Sequence, residues 1–306
     1  MRILIIRPGA IGDTLLALPV IRALRVHYAN PHITFVGNAV VLPLVLASGL
    51  VEEVSDYEDI RWSALFAAAP LPGAMHCVPT IDLAICWLRD PDGMVERNLR
   101  AAGVQQVITA PGRPPEGERV HIVDYLAQTV GAHMGKGQVS LRTACGSGRG
   151  RATAPTYDVA IHPGSGGARK CWPVSSFAAV IQRLCERDCR VLLLGGPADH
   201  ERIDAMRRGR DKSAGAINRA STPAMLLDAP LLEVARYLCQ CRCYLGNDSG
   251  ITHLAALLGV PTIALFSASD PAVWHPVGPS VTVMHAPRWE EITVERVVEN
   301  VLSHIM

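Results

Sequence analysis

Short apolar runs alternate with helical stretches twice along this chain, and that alternation constrains its fold more than any other feature. ILIIR (3–7) precedes a helical stretch from about Asp13 to Tyr28, and ITFVG (33–37) precedes VVLPLVLASG. IDLAICW (81–87) and VQQVI (104–108) follow. Strands that are apolar throughout, rather than alternating, are those of parallel sheets buried on both faces. Their interleaving with helical segments predicts βαβ units. The segment RTACGSGRGRATAPT (142–156) breaks the pattern and predicts a linker, being rich in small and polar residues without apolar periodicity. The alternation then restarts. YDVAIH (157–162) leads to a glycine-bearing loop and a helix from about Val174 to Arg187, then RVLLLGG (190–196). Helix LLEVARYLCQ, strand CYLGN, helix THLAALLG and strand TIALF occupy 231–266, and TVERVVENVLSHI (293–305) closes the chain.

The expected fold class is α/β, with two Rossmann-like domains facing across a cleft, one over 1–150 and one over 151–306. It is left open that the last helix packs back on the N-terminal domain. A chain of 306 residues is long enough for two domains. Ligands in such sheets bind beyond the carboxyl ends of the strands. The formal net charge of +1 predicts no nucleic-acid partner through bulk electrostatics. No apolar run reaches the ~18 residues needed to span a bilayer. MRILII enters a strand-like run directly, without a charged leader. The nine cysteines are therefore read as reduced thiols, and a cytoplasmic location is expected. Lysine occurs only at Lys136, Lys170 and Lys212, which makes each one worth examining.

Three stretches carry candidate chemistry. In RPGAIGDTLLALP (7–19), Gly9 and Gly12 permit a tight strand-to-helix turn, and Asp13 sits at or near the helix start. Asp13 is either a helix N-cap or a general base. In HPGSGGARKCWP (162–173), small residues around Ser165 and Gly166 let backbone N–H groups converge on phosphate oxygens, with Lys170 as a point charge. A solvated loop is the alternative. In GNDSGITHLAALLG (246–259), Asp248, Ser249 and Gly250 open a helix whose orphan N–H groups form an anion site. Ser249 or Asp248 could equally cap that helix, and His253 could be a buried structural residue.

Other patterns are excluded. G-x-x-G-D is not a dinucleotide fingerprint, and G-K-[ST] is absent. No G-x-S-x-G elbow supports a serine hydrolase. CQCRC (239–243) lacks a second Cys/His half at zinc spacing, so no metal is expected from Cys239, Cys241 and Cys243. Cys185 and Cys189 read as packing residues one helical turn apart, and His121, His162 and His304 read as core or surface residues.

The three stretches together resemble the heptosyltransferase family, glycosyltransferase family nine. The resemblance is carried by R-x-x-A-I-G-D with Leu18-Pro19 and Leu24-Arg25, by H-P-G-S-G-G…K-C-W-P, by G-N-D-S-G-I-T-H-L-A-A-L-L-G-V-P-T-I-A-L-F, and by S-D-P…W-H-P-V-G-P (269–279). It implies the two-lobed GT-B fold and inverting transfer of a sugar from a nucleotide-sugar donor, ADP-heptose by preference. The implied acceptor is a glycolipid or saccharide resembling the lipopolysaccharide core. The N-terminal domain is then acceptor-binding and the C-terminal domain nucleotide-sugar-binding.

Neither a cofactor nor a metal is implied. The family's catalytic base falls on Asp13 and its donor-phosphate lysine on Lys170, also assigned to catalysis. The remaining donor residues fall on Gly12, Ser165, Gly166, Asp248, Ser249, Gly250 and His253, with Asp228 in the base-recognition stretch Leu227–Ala229. Arg61, Arg97 and Arg100 are candidates for an anionic acceptor, and a lipid-linked acceptor implies peripheral contact with the inner membrane. The alternatives are a related transferase with another donor and a protein, polysaccharide or small-molecule acceptor, a nucleotide-sugar epimerase, or a non-catalytic binder.

Overall fold

The computed structural model describes residues 1–68, 80–133, 140–142, 155–213 and 222–306. The chain divides into two units, Met1–Val139 and Ser140–Met306. A boundary at 150, and nearly all of the expected linker, lies outside the described residues.

The first unit runs β1 (Arg2–Arg7), α1 (Ile11–Leu15), α2 (Leu18–His27), β2 (His32–Gly37), α3 (Leu42–Ala47) and β3 (Glu53–Asp56). A 3-10 turn (Ile60–Phe66), β4 (Leu83–Trp87), α4 (Met94–Ala101), β5 (Gln106–Ala110) and α5 (Ile122–Thr129) complete it. Its five strands are parallel, in the order β3-β2-β1-β4-β5. The central strand explains the uniform run: Ile3, Leu4, Ile5 and Ile6 have no exposed surface. The helix expected from Asp13 to Tyr28 is two helices. Pro19 lacks an N–H, and it sits in the first turn of α2, where no donor is required. The chain therefore restarts there instead of continuing. α2 then ends on Ala29 and Asn30 in left-handed conformations, with the Asn30 N–H returning to the Arg25 carbonyl at 2.8 Å.

The second unit runs β6 (Tyr157–His162), α6 (Val174–Cys185), β7 (Val191–Gly195), α7 (His200–Ser213), β8 (Ala224–Leu227) and α8 (Leu231–Leu238). It continues with β9 (Cys241–Asn247), α9 (Gly250–Leu257), β10 (Thr262–Phe266), α10 (Pro271–Trp274), β11 (Val281–His285) and α11 (Val294–Ile305). Its parallel strands lie in the order β11-β10-β9-β6-β7-β8.

Both sheets thus share one doubly wound order, in which strand direction of progress reverses beside the unit's first strand. α11 belongs to the core of the second unit. Its Val297, Val298 and Val301 pack with Phe177 of α6 and Cys243 of β9. Cys189 is not on a helical turn with Cys185: α6 ends at Cys185, and Asp188 takes a left-handed conformation between them. Among the described residues, no helix is long and apolar enough to cross a membrane.

Candidate functional site

In each doubly wound sheet, the crevice available to a ligand lies beyond the carboxyl ends of the two strands at the reversal. In the first unit these are β1, ending at Arg7, and β4, ending at Trp87. In the second they are β6, ending at His162, and β9, ending at Asn247. The sequence-selected residues Asp13, Ser165, Asp248 and Ser249 follow three of these four strand ends.

Asp13 is the third residue of α1, not its N-cap, which is Ala10. Its Oδ2 accepts the Ala10 N–H at 3.0 Å, so the carboxylate folds back over the helix start, where the dipole favours an anion. Its Oδ1 lies 3.6 Å from Arg7 Nη2. Gly9 takes a φ of +143°, and a side chain on it would press on Asp13 at 3.0 Å. Gly12 lies inside α1 in an ordinary helical conformation.

Arg7 opens the same stretch. It is almost fully buried at the end of the central strand. Its Nε donates to the Asp13 carbonyl at 3.1 Å and its Nη1 to the Gly112 carbonyl at 2.7 Å, and the guanidinium lies 6.0 Å from the Trp87 ring centroid. Burial lowers the guanidinium below its ordinary value, and the charge of Asp13 opposes this. A charged residue ending an apolar strand was the signal for it, because such a charge must have a partner.

In the second unit the structure brings Ser165, Lys170, Asp248, Ser249 and His253 together. Lys170 Nζ pairs with Asp248 Oδ2 at 2.6 Å, and Ser269 Oγ donates to the same oxygen at 2.6 Å. His253 Nε2 lies 3.6 Å from Asp248 Oδ1, and its Nδ1 is buried without a hydrogen-bond partner among the described residues. Burial pushes the Asp248 carboxyl up, but His253 and Lys170 outweigh burial and bring it down to about 2. Ser165 Oγ donates to the Asp248 carbonyl. Ser249 is the N-cap of α9 and accepts the Thr252 N–H, so the capping reading holds for this residue.

Asn247 was not selected from the sequence, although it holds the two loops together. Its Oδ1 accepts the Trp172 N–H at 2.9 Å, and its Nδ2 donates to the Pro163 carbonyl at 2.8 Å. Glycine is required at Gly164, where a Cβ would collide with the Asp199 carboxylate. Gly166 and Gly167 are exposed and uncrowded. Asp199 also pairs with His162 Nε2 at 3.0 Å.

Asp228 stands apart from this group in the strand order, two strands beyond β6 at the carboxyl end of β8. It has a left-handed backbone, with its carboxylate 2.8 Å from His200 Nε2. The acceptor candidates have neighbours of their own. Arg61 Nη2 meets Asp59 at 2.7 Å, Arg100 pairs with Glu96 one turn away, and Arg97 Nη2 donates to the Ala68 carbonyl at 3.2 Å. Asn98 ties α4 to the 3-10 turn by donating to the carbonyls of Leu65 and Ala67, which places Arg97 and Arg61 on adjoining elements.

Cys241 and Cys243 are buried in β9, and burial pushes the Cys241 thiol up to about 12 and Cys243 higher still. Among the described residues, no three His, Cys, Asp or Glu side chains form a cluster able to hold a metal ion.

Two doubly wound parallel units, each with charged side chains collected at its reversal point, define an α/β protein of the two-domain Rossmann class. Within that class the chain belongs to glycosyltransferase family 9 (heptosyltransferase), whose sequence profile matches residues 121–302. It is 34% identical over 116 residues to lipopolysaccharide heptosyltransferase 1 of Pseudomonas aeruginosa, an alignment covering 38% of this chain and 30% of that protein. The matched stretch thus spans about a third of that curated relative. Among solved structures, it resembles the E. coli heptosyltransferase WaaC with ADP, with a TM-score of 0.74, 19% identity and coverage of 99% of this chain and 100% of that one. It also resembles E. coli ADP-heptose lps heptosyltransferase II, with a TM-score of 0.75, 20% identity and coverage of 100% and 98%. These likenesses establish the fold, which is the GT-B fold expected from the sequence.

Proposed function

We propose that the chain is an inverting, metal-independent glycosyltransferase that moves heptose from ADP-heptose to a lipopolysaccharide-core-like saccharide. The observation that carries this reading is the convergence of Ser165, Lys170, Asp248 and the start of α9 at the reversal point of the second sheet. The relatives support the choice of donor, since one solved structure holds ADP and another is an ADP-heptose lps heptosyltransferase.

The second unit binds the nucleotide sugar. Its leaving diphosphate carries negative charge that needs positive potential. Lys170 supplies a full charge, and the unpaired N–H groups opening α9 supply a partial one. Asp248 holds Lys170 in place while no anion is bound. Ser165, Gly166, Gly250 and His253 line this region, and Asp228 meets the base end of the nucleotide. The first unit contributes Asp13, whose carboxylate takes the proton from the attacking acceptor hydroxyl, a role worth roughly 10²–10⁴ in rate. Gly12 lets the chain start α1 close to that hydroxyl. Arg61, Arg97 and Arg100 meet an anionic acceptor. A lipid-linked acceptor would be met at the cytoplasmic face of the inner membrane.

Calorimetric titration with ADP, UDP, GDP and dTDP in EDTA tests the donor. Selective ADP binding is expected, and selectivity for another nucleotide would discard ADP-heptose. Asp13→Asn should keep ADP affinity and lose most turnover, whereas near-normal turnover would remove Asp13 from the chemistry.

A further inference from the structure

Lys170 ends a short 3-10 turn, Ala168–Lys170, that has little to hold it from within. None of its three residues is buried, and no side chain caps it. Gly166 and Gly167, which lead into it, are exposed with open space around them. The turn's own bonds run from the Lys170 N–H to the Gly167 carbonyl at 3.0 Å and from the Cys171 N–H to the Ala168 carbonyl at 3.1 Å. The next donor in that ladder is the Trp172 N–H, which goes instead to Asn247 Oδ1 at 2.9 Å. The Arg169 carbonyl is thereby left without a partner from the turn itself.

Trp289 supplies the missing donor. It opens a second 3-10 turn, Trp289–Glu291, between β11 and α11. Its Nε1 donates to the Arg169 carbonyl at 3.1 Å, across 120 positions of sequence. Its own carbonyl accepts from Trp172 Nε1 at 3.4 Å. Trp172 is buried and packs edge-on against Phe177 of α6, with ring centroids 5.2 Å apart. One end of this exchange is therefore anchored in the core, where Trp289 also packs. The other end grips the peptide bond that joins Arg169 to Lys170. The lysine is thus held by three tethers: Trp289 on the carbonyl before it, Asn247 on the N–H two residues after it, and Asp248 on its ammonium.

These tethers bear on anion binding. The Lys170 side chain is 40% exposed, so its ammonium can turn from Asp248 to a ligand. A point charge loses its hold as distance grows, and ordering a loose turn on binding is subtracted from affinity. A turn whose backbone is already fixed avoids both losses. We propose that Trp289 is a positioning residue of the donor site, whose indole N–H fixes the turn that carries Lys170 and so presents the ammonium to a nucleoside diphosphate. This rests on the reading above that the donor diphosphate binds beside Lys170.

The test is calorimetric titration of ADP, in EDTA, into four forms of the full chain: wild type, Trp289→Phe, Lys170→Met and the double variant. Phenylalanine keeps an aromatic ring against the core and removes the donor. Trp289→Phe should weaken ADP binding about 2- to 10-fold, which corresponds to the net contribution of one hydrogen bond. In the Lys170→Met background the same change should make no difference, because its effect passes through the ammonium. Unchanged affinity in Trp289→Phe, or an equal loss in both backgrounds, overturns this inference and leaves the donor reading standing. Should Trp289→Phe fail to fold, benzothienylalanine at position 289, which keeps the bicyclic shape and has sulfur in place of the N–H, takes its place. Should Lys170→Met bind too weakly to measure, trypsin cleavage of the folded chain after Arg169 decides: faster cleavage in Trp289→Phe than in wild type supports the inference, and equal rates overturn it. ADP that fails to bind the wild-type chain overturns the donor reading, and this inference with it.

Discussion

Replacing Asp248 with asparagine keeps the shape of the side chain and removes its charge. The carboxyl is almost buried, its side chain only 6% exposed, and it is held at about 2 against an ordinary 3.8. Lowering a pKa by that amount stabilises the folded state by about 2 kcal/mol at neutral pH. The sign follows from linkage. The folded-state pKa is depressed, so the contribution is fully present above 3.8 and is lost as pH falls through about 2.

The assay is urea unfolding of wild type and Asp248→Asn at half-unit steps between pH 6 and pH 2, followed by tryptophan fluorescence. Trp172 reports on this site, because its N–H donates to Asn247 next to Asp248. The wild-type advantage should be constant above pH 5 and shrink by about 2 kcal/mol toward pH 2. In thermal melts, the same loss corresponds to a shift of roughly 4–8 °C for a unit of this size. A stability difference that stays flat from pH 6 to pH 2 would refute the reasoning. It would mean that Lys170 and His253 do not hold the carboxylate in its charged form.

Gly164→Ala should destabilise the second unit by about 1–3 kcal/mol, because the new methyl meets the Asp199 carboxylate; chemical denaturation reads this directly. Asn247→Ala removes buried hydrogen bonds to Trp172, Pro163 and Gly164, and should cost about 2–4 kcal/mol in the same assay. Cys86 and Cys241, each pushed up to about 12 by burial, should stay unreactive toward a thiol-disulfide reagent at pH 8 until the chain is unfolded. Arg7→Met should lower the melting temperature of the first unit, since it leaves the Gly112 carbonyl without its donor; an unchanged melt would show that the buried guanidinium contributes nothing net.

The sequence revealed the centre of each sheet. β1, β4 and β10, with the carboxyl-terminal parts of β6 and β9, are covered on both faces, and burial of that kind leaves an apolar run. β3, β8 and β11 escaped notice because an edge strand needs only partial burial, and Glu53–Asp56 carries no such run. The two helices in place of one over 11–27 reflect Pro19, which is compatible with a helix start but not with its interior. At the candidate site, residues in loops after strands were legible through their glycine and charge. Asn247 and Asp199 were not, because their roles lie in pairs distant in sequence: Asn247 with Trp172, and Asp199 with His162. No local pattern encodes such a pair.

The edge strands have a consequence for behaviour in concentrated solution. A sheet edge offers unpaired N–H and C=O groups to any neighbouring chain, and long apolar edges nucleate aggregation. β3 and β8 are four residues each; β3 begins and ends on an acid, and Asp228 follows β8 directly. The shortness of both strands, and the acids of β3, discourage a second molecule from docking strand to strand. The same shortness that conceals these strands from a reader of the sequence protects the folded chain from its own copies.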